Sequence, residues 1–293
     1  MRALVCVLCV TVLIGCGHSA PDPRSSAPPS RIVADQPIPI AAQSDEAVTP
    51  GAKPVATTEP WGTVKGHIIG AGKFSAREVV KVPSTHNDFN FCMKNGEFLD
   101  EEWVVDPKSK GLKNTFVWLA PAEKDGKLAI HLVRQKIAEN DKKVIIDQPI
   151  CMFVPRALAV REGQVLVVKN TAKVPHNFKW GGTDANPGSN PTIVPGDQLE
   201  LKIKADSKLI LAECGLHPWM KATIMAFDHP YFAVTDDQGR FEIKDAPTGP
   251  CRLMIRHSTG IWLGGAKGKN GRAITIESGD NDLGALEYPA PPK

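Results

Sequence analysis

Several features that would settle a function at once are missing from this sequence of 293 residues. It holds no His-x-His pair, the usual source of the extra centres in oxidases and reductases with several metal ions, so catalysis by that route is not expected. It holds no Cys-x-x-Cys-His, which excludes covalently attached haem. Lys and Arg number 35 against 32 Asp and Glu. They are scattered among one another with neither a basic stripe nor a stacking motif, so no nucleic-acid partner is expected. Beyond the first residues no apolar run is long enough to span a bilayer.

The N-terminus carries the one targeting signal. Arg2 precedes an apolar run over residues 3–14, too short for a stable membrane span but suited to a secretory segment. The run ends Leu13-Ile14-Gly15-Cys16. This resembles the lipobox of bacterial lipoproteins, which implies a signal peptide over residues 1–16, cleavage before Cys16 and lipid on its thiol. A plain secretory signal with an incidental cysteine is the alternative. Cys6 and Cys9 fall in the segment to be discarded. Residues 17–60 are rich in Pro, Ala and Ser without apolar periodicity. Such a stretch cannot bury enough surface to offset its ordering entropy, and it reads as a disordered tether. The expected location is the periplasmic side of the cell envelope, anchored to a membrane rather than integral in it.

The remainder is long enough for one large or two small domains, and strand signals dominate it. Residues 63–69, 116–119, 157–160, 165–169 and 199–203 alternate or run apolar in short lengths, separated by Gly, Pro, Asn and Asp. Glu162-Gly163 and Pro195-Gly196-Asp197 read as turns, the first as a hairpin. Only residues 123–140 could carry a helix, and Gly126 weakens it. An all-β fold of Greek-key sandwich type is expected.

Two short stretches carry the chemistry, Val174-Pro175-His176-Asn177 and Cys214-Gly215-Leu216-His217-Pro218-Trp219-Met220. Each follows a strand-like run. A lone Cys-x-x-His is usually a buried thiol beside an ordinary histidine. Here one thiolate, two imidazoles and one thioether form the ligand set of a mononuclear blue-copper site, in which two His and a Cys lie roughly in a plane and a Met binds weakly along the axis. Zinc fits less well, because thioethers are not its usual ligands. A metal-free relative of such a fold is the remaining alternative.

The same residues resemble the cupredoxins, with the short spacings of an amicyanin-like copper loop, over residues 153–227. The resemblance implies one type 1 copper centre with His176, Cys214, His217 and Met220 as ligands. It makes Asn177 the residue behind them that ties the two ligand loops together, and it places the His217 ring edge near the surface. Pro218 and Trp219 would then form an apolar docking patch, or Trp219 is simply a core aromatic. Downstream, the Asp236-Asp237-Gln238-Gly239 turn and Pro247-Thr248-Gly249 resemble the carboxypeptidase regulatory-like, or transthyretin-like, β-sandwich, a non-catalytic module, over residues 222–289. Cys251 stands where relatives often carry an aromatic.

The expected organisation is therefore a β-rich region at 61–150, a cupredoxin domain at 151–228 and a regulatory-like sandwich at 229–293. The first of these either completes the cupredoxin sandwich or adds a sheet to it. Among the other cysteines, Cys92 and Cys151 are the preferred disulfide pair in an exported protein, with free buried thiols as the alternative. His67, His86, His131, His229 and His257 stand singly and read as surface or capping residues. The expected function is a membrane-tethered carrier of single electrons between unidentified redox partner proteins, not an enzyme. An envelope scaffold and a copper storage or delivery protein are the alternatives.

Overall fold

The computed structural model describes residues 60–291. The signal segment, the lipidation site at Cys16 and the tether up to residue 59 lie outside the described residues. Strands run in chain order as β1 (Trp61–Ala71), β2 (Thr115–Pro121), β3 (Lys143–Ile150), β4 (Met152–Val154), β5 (Ala157–Arg161), β6 (Val165–Lys169), β7 (His176–Asn177), β8 (Lys179–Trp180) and β9 (Thr192–Ile193). They continue as β10 (Gln198–Lys202), β11 (Ile210–Glu213), β12 (Lys221–Phe227), β13 (Phe232–Val234), β14 (Arg240–Pro247), β15 (Gly249–His257), β16 (Arg272–Ile276) and β17 (Gly279–Pro289). Two short α-helices, α1 (Phe89–Cys92) and α2 (Leu132–Asn140), interrupt them. The fold is all-β, built as two sandwiches.

One sandwich pairs the sheet β10-β6-β3-β4 with the sheet β5-β12-β11-β8. Its core includes Phe153, Leu166, Val168, Phe178, Ile224 and Met220. The other pairs β14-β1-β17 with β13-β2-β15-β16, around Val64, Ile68, Leu119, Phe241, Leu253 and Tyr288. A third cluster, Phe116, Trp118, Ala157, Met225, Phe227 and Met254, joins the outer faces of the two inner sheets. The strands there are apolar on both faces for that reason. Along β12, Ala222, Ile224 and Ala226 face one core, while Met225 and Phe227 face the junction. Each large side chain buried there contributes about 1.5–3 kcal/mol.

The pairing corrects the expected domain boundaries. β1 bonds antiparallel to β14 and parallel to β17, and β2 bonds to β13 and β15. β1 and β2 thus neither complete the metal-site sandwich nor add a sheet to it, although Cys92, between them, is buried in its core. They supply two strands of the C-terminal sandwich, because the buried faces of β1 and β2 (Val64, Ile68, Val117, Leu119) belong to that core. Conversely β3, before residue 151, pairs with β6 and joins the metal-site sandwich, while β12 lies in that sandwich through β5 and β11, inside the expected bounds of 151–228. The metal-site sandwich is inserted between β2 and β13, two adjacent strands of its host. The Glu162-Gly163 turn is not a hairpin either. It carries the chain from β5 in one sheet to β6 in the facing one, with Gly163 at φ 96°.

Candidate metal centre

The short strand β7 delivers His176, and the loop between β11 and β12 delivers Cys214, His217 and Met220. That loop is closed by its own backbone: the Met220 N–H donates to the His217 carbonyl at 2.9 Å, and the Cys214 N–H donates to the Met220 carbonyl at 3.2 Å. His176, Cys214, His217 and Met220 are each no more than 1% exposed.

The structure brings three of these donors to one point. His176 Nδ1 lies 3.0 Å from His217 Nδ1, and Cys214 Sγ lies 3.9 Å and 3.7 Å from those two nitrogens. A point equidistant from the three atoms is about 2.1 Å from each, the length of a metal–imidazole bond and about 0.2 Å short of a metal–thiolate bond. Met220 is buried in the same core cluster as Cys214. Burial, and then the neighbouring His217, lower the His176 pKa to about 3. Burial also lowers that of His217, against the opposing pull of Asp88. Both rings are therefore neutral near pH 7, as a metal requires of imidazole ligands.

Asn177 binds the two ligand segments to each other. Its Oδ1 accepts the Gly215 N–H at 2.6 Å, and its own N–H donates to Cys214 Sγ at 3.4 Å. A side chain at Gly215 would crowd the Asn177 amide, its Cβ lying 3.3 Å from Nδ2.

His217 does not approach the surface. Its ring is fully buried beneath a segment that precedes α1. Asp88 Oδ2 lies 3.1 Å from His217 Nε2, and the His86 ring sits 4.9 Å from the His217 ring. His86 Nε2 bonds the Leu216 carbonyl at 2.9 Å. The expected docking patch is divided: Pro218 is exposed, whereas Trp219 is half-buried, donating from Nε1 to the Cys151 carbonyl at 3.0 Å. Cys92 and Cys151 are joined, with S–S 2.04 Å and Cα atoms 5.3 Å apart. Their sulfurs come within 4.8 Å of a His217 nitrogen, but as a disulfide they offer no thiolate. Cys251 is a free, buried thiol, its pKa raised by burial to about 11.

His86 and Asp88 are the residues that reading the sequence misses. Asp88 stands 129 positions from His217, so no local spacing links them, and a single His two residues before an Asp carries no signal of its own.

No family model and no curated protein matches the chain. Solved structures align with about a third of it. A copper-containing nitrite reductase from Thermus scotoductus is 16% identical over 29% of this chain and 22% of that one, at TM-score 0.26. The chain thus spans about a fifth of that reductase. A mutant of amicyanin in its Cu(I) form is 17% identical over 30% of this chain and 84% of that one, at TM-score 0.27. A purple cupredoxin from Nitrosopumilus maritimus is 21% identical over 30% of this chain and the whole of that one, at TM-score 0.25. At TM-scores this low nothing about fold or function is carried across to this chain.

Proposed function

We propose that this chain is a type 1 copper protein that carries single electrons in the cell envelope, held to a membrane by lipid on Cys16. The observation that carries the reading is the convergence of His176 Nδ1, His217 Nδ1 and Cys214 Sγ around one point at bonding distance. Two imidazoles and a thiolate with a thioether nearby suit copper, because soft sulfur holds Cu(I) and imidazole accepts both oxidation states. His176, Cys214 and His217 would hold the ion, which would supply one-electron redox chemistry between a reduced and an oxidised partner protein. A carrier, rather than an enzyme or a storage protein, fits the burial of all four side chains. The host sandwich, with its likeness to non-catalytic regulatory-like modules, acts as a support.

Titration of the purified protein with Cu(II) tests this. One equivalent is expected to give an intense visible band from thiolate-to-copper charge transfer, and Cys214→Ser to abolish it. No colour at stoichiometric Cu(II) would refute the reading and leave the envelope scaffold in its place. Fractionation tests the anchor separately: Cys16→Ser is expected to leave membranes, and a variant that still sediments with them would refute lipidation.

A further inference from the structure

The geometry points to Asp88 as a positioning residue for His217: its carboxylate holds the ring in the tautomer that leaves Nδ1 bare for a metal, while the segment that carries it keeps water off the ring. This rests on the proposal that His176, Cys214 and His217 are ligands, although part of its test does not need copper.

A carboxylate offers only acceptors. At 3.1 Å from Asp88 Oδ2, His217 Nε2 must therefore carry the ring proton. In the neutral ring Nδ1 is then a lone pair, directed at His176 Nδ1 and Cys214 Sγ. The opposite tautomer would set a bare Nε2 against the carboxylate and put an N–H among the three donors. The first change is unfavourable, and the second removes the lone pair that a metal needs.

The local structure of Asp88 shows that this contact is favoured over a more ordinary one. Asp88 occupies the N-cap of α1 yet makes no side-chain capping bond. An aspartate at a helix N-cap usually accepts an N–H from the first turn. Its side chain turns to His217 instead, leaving α1 capped by backbone alone. The segment is held over the ligand loop at separate points. His86 Nδ1 accepts the Asp88 N–H at 3.1 Å, and its Nε2 donates to the Leu216 carbonyl at 2.9 Å. The Cys92–Cys151 bridge fixes the far end of α1, and Trp219 bonds the Cys151 carbonyl from the ligand loop. A carboxylate behind a ligating imidazole fixes ring orientation and raises its basicity, and losing such a partner usually costs about 10–100-fold in metal affinity.

Two variants separate the roles. Asp88→Leu removes the acceptor; Asp88→Asn keeps an acceptor but removes the charge. In the copper-free protein, ring ¹⁵N–¹H spectra are expected to show His217 as the Nε2–H tautomer in the parent and in Asp88→Asn, and as a mixture in Asp88→Leu. With copper, Asp88→Leu is expected to bind Cu(II) about 10–100-fold more weakly. Asp88→Asn should bind less weakly, with a raised reduction potential because Cu(II) loses electron donation. A folded Asp88→Leu with unchanged tautomer and unchanged affinity would overturn the proposal. Should Asp88→Leu fail to fold, Asp88→Asn decides: a raised potential supports the role and an unchanged one overturns it. A parent that takes no Cu(II) would overturn the copper reading alone, since the tautomer comparison still decides the role of Asp88.

Discussion

Removing the Cys92–Cys151 bridge is expected to have two separable effects, one on the whole fold and one on the metal site. The bridge closes a loop of 59 residues. In the chain-entropy account, a loop of that length restricts the unfolded ensemble by about 4 kcal/mol at 25 °C. Both sulfurs are buried, so Cys92→Ala/Cys151→Ala loses a little packing as well. For a unit of this size, 4 kcal/mol corresponds to a fall in Tm of about 10 °C. Urea unfolding of the double variant, in copper-free protein without reductant, should show a lower midpoint and a somewhat steeper slope, because the unbridged unfolded chain is less compact. The second effect is local. The bridge ties α1 to the edge of the metal-site sandwich, so its loss loosens the Asp88 segment over His217. Cu(II) is then expected to dissociate faster from the variant in stopped-flow chelation. A double variant with a midpoint within about 1 kcal/mol of the parent would refute the entropic argument. An unchanged copper off-rate would show that the segment stays in place without the bridge.

Met220→Leu is nearly volume-conserving and should cost less than about 1.5 kcal/mol; the Cu(II) form should stay coloured with a shifted reduction potential, and a colourless protein would show that the thioether holds the metal. Gly239 sits at φ 74°, where an added Cβ would meet the Ile68 carbonyl and Gly111, so Gly239→Ala should destabilise the host sandwich by about 2–4 kcal/mol in chemical denaturation. His257 is buried and stacked on Trp103 at 3.9 Å, and burial lowers its pKa to about 3. The folded protein keeps it neutral while the unfolded chain protonates it below its ordinary value of 6.5. Its contribution is therefore flat above pH 6.5, and stability falls as pH drops from there toward 3, by up to about 1.4 kcal/mol per pH unit. His257→Gln should lose stability less steeply across that window, and identical slopes would refute the assignment.

The donor set was legible because its chemistry is local. Cys214, His217 and Met220 lie on one loop, and His176 and Asn177 follow a strand signal, so residue type and spacing alone bring them together. What lay over the site was not legible, because Asp88 reaches His217 across 129 positions. The two sandwiches were expected, but the place of β1 and β2 in the C-terminal one was not legible, for the same reason. β1 finds its neighbours at the far end of the chain, as the Lys65–Asp280 bond across 215 positions illustrates. Turn chemistry at Glu162-Gly163 specifies a reversal but not which sheet the next strand joins. One signal could have been used: β12 is apolar at nearly every position rather than alternating. Such a run marks a strand covered on both faces, here by a second layered body packed against it.

The insertion of one sandwich into the other has a consequence for synthesis. Strand partners of the metal-site sandwich all fall between β3 and β12, so in a chain exported N-terminus first, as proposed, this part can pair as soon as β12 has emerged into the oxidising compartment. The host cannot. β1 emerges first but stays without its parallel neighbour until β17, the last strand made. Such distant pairing is slow and leaves strand edges open meanwhile. Cys92 and Cys151 both precede β12, so their bridge can form during that wait. The metal-binding part would then be assembled and cross-linked, with its Asp88 segment held down, before the body that carries it is closed.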